Sequence, residues 1–191
     1  RRIERMRRDT DKALALTAHR LLCYALKTVS DIVPGPQDFG LMVRGKPYLV
    51  TAPDIHFSIS HSGGMAMCAL HGEPVGADIE KARLVGKGVP ERVMSEAEYR
   101  LYRDAEDRQT LFFQIWTLKE AFIKYSGEGL GIPLRSFTVC PSGSGIITDT
   151  GCAFWLMQPA DGYQAAVCAK GGAEPEIVMV SEEQLARPLG K

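Results

Sequence analysis

The sequence predicts an α+β protein with two similar halves. Its periodic segments run helix, strands, helices, strands, and the strands follow one another through short turns instead of the crossover helices that a parallel doubly wound sheet requires. A chain of 191 residues, 45% of them hydrophobic, can bury a proper core as one domain or as two small halves sharing an interface.

The first element is a long helix. From Asp9 to Thr28 leucines and alanines recur at helical spacing, with Leu14, Leu21, Leu22 and Leu26 broadly on one side. The segment "SDIVPGPQDF" ends it with two prolines and a glycine, and "GKPYL" reads as a turn entering a short extended piece. Ile55, Phe57 and Ile59 then alternate with His56, Ser58 and Ser60, the pattern of a half-buried strand that stops at "HSGG". Two more strands flank the "HGEP" turn in "MAMCALHGEPVGADIE". Ser95 and Glu98 form an S-x-x-E capping box that opens a helix at "EAEYRLYRDA". After a polar break at "EDRQ", Phe112 to Leu130 reads as one amphipathic helix stopped by Gly127 and Gly129, with Phe113, Trp116 and Ile123 on its apolar stripe. Beyond it, "FTVC", "GIITD", "CAFWLMQ", "YQAAVCAK" and "EIVMVS" read as strands of an antiparallel meander.

Composition removes several classes of function. No apolar run approaches the roughly 20 residues that span a bilayer, and "RRIERMRR" has no hydrophobic region behind it, so a cytoplasmic protein without membrane contact is expected. A formal net charge of zero argues against a whole-molecule grip on nucleic acid, so any anionic ligand must be held locally. The five cysteines are widely spaced, without a CxxC pair, and mostly embedded in apolar runs; they are expected to be reduced core residues. With Arg1 in place of a methionine, further residues are expected upstream.

The candidate chemistry lies in carboxylates. Asp78 and Glu80 in "GADIE" are two apart on a strand and leave the same face, where their repulsion is relieved by a hard divalent cation or, equally, by solvent at an ordinary strand end. Glu120 follows Trp116 and precedes Lys124 at helical spacing, on the edge of the apolar stripe. It completes an oxygen site with the strand acids, or it forms a simple i, i+4 ion pair with Lys124. Ser60, His61 and Ser62 offer donors at a strand end, a lining for phosphate or sugar, although a histidine near a turn is commonly structural. Lys46 in "GKP" sits on a turn stiffened by Pro47 and is either an anion contact or a solvated lysine. Arg2, Arg5, Arg7 and Arg8 are a basic end or part of a phosphate-contacting segment.

Taken in order, "GKP", "FSISHS", "VGADIEKAR" and "WTLKEAFIKYSGEGL" resemble the signature of the 4′-phosphopantetheinyl transferases, specifically the larger surfactin-synthetase-activating type. "AHRLL", "SEAEY", "GYQAAVCA" and "VSEEQL" extend the resemblance over essentially the whole chain, except for an N-terminal strand region that looks absent. Ser58 stands where asparagine is common in the family. The resemblance implies a pseudodimer of two α+β halves, each a helix packed on a small antiparallel sheet, with residues 1–75 and 76–191 as the halves and the active site in the cleft between them. It implies transfer of the phosphopantetheine arm of coenzyme A to a serine of an acyl or peptidyl carrier protein, dependent on Mg2+ and carried out by a monomer. Asp78, Glu80 and Glu120 then match metal ligands, and Lys124 matches the lysine beside the pyrophosphate. Lys46 and Pro47 match the turn at the nucleotide, Ser60 and His61 the phosphate-contacting strand end, and Arg5, with Arg2 more loosely, the residues at the 3′-phosphate. Glu120, Lys124 and His61 are the residues expected to act in the transfer. The carrier is expected to dock on "RLVGKGVPERVMSEAEY", through Arg83, Lys87 and Arg92 beside Val85, Val89 and Met94. Two other readings use the same residues: a non-catalytic module that binds coenzyme A or a carrier, and a metal-dependent phosphoesterase.

Overall fold

Helix α1 (Asp9–Ser30) opens the computed structural model, which describes residues 9–188. The face it turns inward is centred on Ala18, Leu22 and Leu26, four residues apart. The two leucines pack on Leu49 and Phe57. A tight hairpin follows, β1 (Phe39–Leu41) with β2 (Pro47–Leu49), and then a longer one, β3 (His56–Ser62) with β4 (Met65–His71). The chain crosses to β5 (Val75–Lys81), which does not continue that ladder but pairs with β9 (Tyr163–Ala169) in a three-stranded sheet ordered β5-β9-β8, β8 being Ala153–Met157. Between them lie a short helix α2 (Val89–Val93), α3 (Glu96–Asp104), α4 (Arg108–Ser126) and a separate hairpin, β6 (Val139–Ser142) with β7 (Gly145–Thr148); α5 (Glu182–Ala186) closes the described chain.

This is the expected α+β class, with antiparallel pairing throughout. Several expectations need correction. The "FTVC" and "GIITD" strands form their own hairpin and do not continue into one meander with β8 and β9. "EIVMVS" is not a strand: its apolar pattern finds no edge to pair with among the described residues, and Ile177, Val178 and Met179 are 61%, 68% and 65% exposed. Strand β3 is not half-buried, because its serine face is covered as well, with Ser58 and Ser60 both buried.

Helix α4 begins four residues before the expected start and stops, as expected, at Gly127. Asp107 accepts a hydrogen bond from Thr110 N, so the polar "EDRQ" stretch contains the cap and the first exposed turn. At the other end Gly127 adopts φ 73°, and its N–H bonds Ile123 O. Burial of Phe112, Phe113, Ile115, Thr117, Leu118, Lys119, Ala121 and Ile123 makes α4 a central helix wrapped on several sides, not a surface helix with one stripe.

Lys119 answers to no apolar stripe, yet its side chain and that of Glu98 are both 0% exposed. Its ammonium has three donors, which meet Leu134 O (2.6 Å), Phe137 O (2.8 Å) and Glu98 Oε2 (2.9 Å). Glu98 in turn accepts from Ser95 N and Val139 N, both at 2.7 Å, so the capping-box acid also ties α3 to β6. Burial pulls the Lys119 pKa down while Glu98 opposes it, and the complete set of hydrogen bonds is what makes the pair tolerable. We expect Lys119→Met to lower unfolding free energy by about 3–5 kcal/mol, because it strands the Glu98 carboxylate in the core. Urea denaturation measures it; a loss below about 1 kcal/mol would contradict the pairing described.

Candidate active site

Residues at even positions of β5 share one face, so Gly76, Asp78 and Glu80 point together toward α4. Gly76 is where the helix lies on the strand: a Cβ there would stand 1.9 Å from Ala121 O and 2.3 Å from Tyr125 N, both rigid backbone atoms. That approach puts the last two turns of α4 directly over the strand acids. Lys124 Nζ lies 2.7 Å from Asp78 Oδ1 and also donates to Ile59 O at 3.4 Å.

The alternate residues of β3 complete the arrangement from the other side. Ser58 Oγ accepts from Ala77 N (2.9 Å), Ser60 Oγ donates to Asp78 Oδ1 (2.7 Å), and Ser62 Oγ donates to Glu80 Oε2 (2.7 Å) while accepting from Lys81 N (3.1 Å). Three hydroxyls thus join β3 to β5 across a seam that the strand ladders do not cross. Glu80 Oε2 accepts a further bond from Arg83 Nη1 at 2.8 Å.

Electrostatics make this a costly cluster. Burial holds the Asp78 carboxyl above its usual range and outweighs the pull of Lys124 and Ser60 in the other direction. Glu120 is raised too, first by burial, then by repulsion from Asp78, with Lys124 opposing. Glu120 is thus near enough to both strand acids to be repelled by them. Asp78 Oδ2 is buried without a hydrogen-bond partner, an orphan acceptor that a cation would satisfy. Among the described residues, no three His, Cys, Asp or Glu side chains close on one point as a ready cage. The set fits instead a cation such as Mg2+, which takes few protein carboxylates and completes its shell with water and phosphate oxygens.

Beside the acids opens a cleft of about 480 Å³, with Ser60, His61, Glu120, Lys124, Lys46 and Pro47 in its wall. That volume is in the range of small-molecule sites. Lys46 lines it but sends its Nζ to two carbonyls, Val75 O (3.0 Å) and Tyr125 O (3.3 Å), so it also caps the C-terminal end of α4. Arg2 and Arg5 lie outside the described residues. In the expected docking segment Met94 is buried against Phe112, Phe113 and Ile115 and offers nothing to a partner; the exposed apolar residue is Leu84, at 93%. Sequence reading passes over Gly76 and the bond from Arg83 to Glu80, and it names Ser62 as a donor at the strand end but not as the partner of Glu80. A glycine inside a strand pattern signals close backbone approach, and Ser62 extends the Ser58, Ser60 alternation. The Arg83 contact has no signal at sequence level.

Comparison with known proteins gives four findings. Residues 74–168 match the model of the 4′-phosphopantetheinyl transferase superfamily. The chain is 37% identical over 156 residues to the 4′-phosphopantetheinyl transferase Sfp of Bacillus subtilis (strain 168), covering 77% of this chain and 70% of that protein. It is 37% identical over 108 residues to the human L-aminoadipate-semialdehyde dehydrogenase-phosphopantetheinyl transferase, covering 48% of this chain and 35% of that one. Among solved structures, the holo-[acyl-carrier-protein] synthase of Thermotoga maritima superposes with a TM-score of 0.44 at 24% identity, over 50% of this chain and 61% of its own.

Two substitutions test the geometry. Gly76→Ala forces a methyl into the α4 backbone and should cost about 3 kcal/mol of stability, read by urea denaturation; an unchanged midpoint would mean that the helix does not rest there. For Lys46, burial pulls the pKa from 10.5 to about 8. Between those values the unfolded chain holds a proton that the folded chain has released, so this lysine's contribution to stability rises with pH across the window and is flat below it. Wild-type stability minus that of Lys46→Met should therefore be larger at about pH 10 than at about pH 7.5; an equal difference would place the amine in solvent.

Proposed function

Because this chain belongs to the 4′-phosphopantetheinyl transferase superfamily, we propose that it moves the 4′-phosphopantetheine arm of coenzyme A to a serine of an apo acyl or peptidyl carrier protein, releasing adenosine 3′,5′-bisphosphate with the aid of Mg2+. The observation that carries this reading is the edge of the cleft, where Glu120 and Lys124 line the wall and Lys124 reaches back to Asp78, whose second oxygen has no hydrogen-bond partner. The two halves, 1–75 and 76–191, would then meet along the seam of serines, with the donor lying beside it.

Asp78, Glu80 and Glu120 are the residues that would hold Mg2+. When bound, the ion supplies positive charge to the diphosphate oxygens as charge builds on the leaving group. Lys124, between Asp78 and the cleft, adds a second positive charge at the same place. His61 lines the wall beside Ser60, whose hydroxyl proton goes to Asp78, and the Lys46–Pro47 turn borders the nucleotide end. Arg5, outside the described residues, would contact the 3′-phosphate.

In the transfer itself the carrier serine oxygen bonds to the phosphorus bearing the pantetheine, and the bond from that phosphorus to the bridging oxygen breaks toward the adenosine bisphosphate. The serine proton must leave as the bond forms. Glu120 accepts it, directly or through a water. The carrier approaches over the loop of residues 82–88, where Leu84 is exposed and Arg83 and Lys87 provide cationic charge for an acidic surface.

Mass spectrometry of an apo carrier incubated with the enzyme, coenzyme A and Mg2+ tests the reading directly. A gain of one phosphopantetheine is expected. Hydrolysis of coenzyme A without carrier modification would indicate a phosphoesterase, and neither outcome a binding module. Glu120→Gln should slow the mass gain by roughly 10²- to 10⁴-fold, and Mg2+ affinity of the same variant separates loss of base from loss of ligand. Near-normal turnover would remove Glu120 from the chemistry.

A further inference from the structure

Glu80 is the one strand acid that touches an exposed cation. Arg83 Nη1 sits 2.8 Å from Glu80 Oε2 and 3.4 Å from Lys81 O, while the Arg83 side chain is 62% exposed and that of Glu80 18%. The guanidinium carbon lies 5.4 Å from the centre of the Phe113 ring, which supports the arginine from beneath. Arg83 is the second residue of the 82–88 loop, which has no helix or strand and carries exposed Leu84 at the next position. Asp78 sits on the same face of β5 as Glu80, and both repel Glu120, so Arg83 offsets charge on the outermost member of an acidic group.

We propose that Arg83 is a latch on Glu80 that carrier docking opens: its guanidinium competes with the divalent cation for the Glu80 carboxylate, and an acidic carrier surface draws it away. The proposal rests on the transferase reading above. Three features of the pair support it. The bond is a half-exposed ion pair, of the strength that a new partner can exchange. The arginine lies on the loop that combines positive charge with an exposed leucine, which fits an acidic, amphipathic partner. The loop follows directly on β5, so docking and cation binding share one short stretch of chain, Asp78 to Lys87. Ser62, which bonds the same carboxylate oxygen at 2.7 Å, keeps Glu80 in place when the arginine leaves. By reciprocity, whatever the carrier adds to cation affinity the cation adds to carrier affinity.

The measurement is Mn2+ binding, followed by electron paramagnetic resonance of the free ion, without coenzyme A. An acyl carrier protein with its acceptor serine changed to alanine serves as the docking partner. For wild type the carrier should tighten Mn2+ binding about two- to five-fold, the range an exposed ion pair spans. Arg83→Gln should bind Mn2+ that much more tightly with no carrier present, and the carrier should add nothing; Arg83→Lys, which keeps the charge, should stay close to wild type. If Arg83→Gln binds Mn2+ as weakly as wild type or more weakly, or if the carrier still tightens binding in that variant, the latch is overturned while the transferase reading stands. If wild type modifies no carrier and Glu80→Gln leaves Mn2+ binding unchanged, the transferase reading falls and takes the latch with it.

Discussion

Everything in the site depends on how closely α4 lies on β5 at Gly76. A side chain of any size there would lift the helix, and the Lys124 ammonium would lose its 2.7 Å contact with Asp78. The helix is long enough to serve two masters. Its middle is fastened inside the protein by the Lys119–Glu98 pair and by apolar packing against Phe137, Val139, Ala166 and Cys168. Its last turns, from Glu120 onward, carry the residues that meet the cleft. Neighbouring residues thus have opposite tasks: Lys119 is sealed into the core, and Glu120 faces the strand acids.

The acids are held from three directions by groups of different character. From β3 come hydroxyls, which orient a carboxylate without neutralising it. From α4 comes a lysine, and from the 82–88 loop an arginine, each bearing a full charge. Asp78 is nonetheless raised in pKa, so its one ammonium partner does not offset the loss of water. A site whose own cations leave its carboxylates undercompensated is primed to take another. The Lys46 amine differs from both, since its partners are carbonyls and two N–H donors satisfy them whether or not it carries a charge.

Much of this was legible in the chain. The α+β class, the β3–β4 and β4–β5 turns, the Ser95 capping box and the glycine stop of α4 each follow from a local rule that the tertiary structure does not override. The candidate residues Asp78, Glu80, Glu120 and Lys124 were found through spacing and resemblance, and the structure brings them to one region. What spacing could not show is partnership across the chain. Glu98 and Lys119 are 21 positions apart and each looks like ordinary helix surface; only the fold reveals that they satisfy one another in the core. The same holds for Arg83, whose bond to Glu80 depends on how the loop leaves the strand. The "EIVMVS" error has the reverse cause, because alternation of apolar residues is a local property and pairing requires an available neighbour.

The seam between β3 and β5 is stitched by serine hydroxyls and not by a ladder of peptide groups. Peptide hydrogen bonds are indifferent to residue identity, so a laddered sheet fixes the spacing of its strands whatever sequence it carries. Here the gap between the two sheets is written in side chains. Exchange of a single hydroxyl can widen or narrow the groove locally while both sheets keep their register, which gives the fold a means of retuning what it accommodates without rebuilding either sheet.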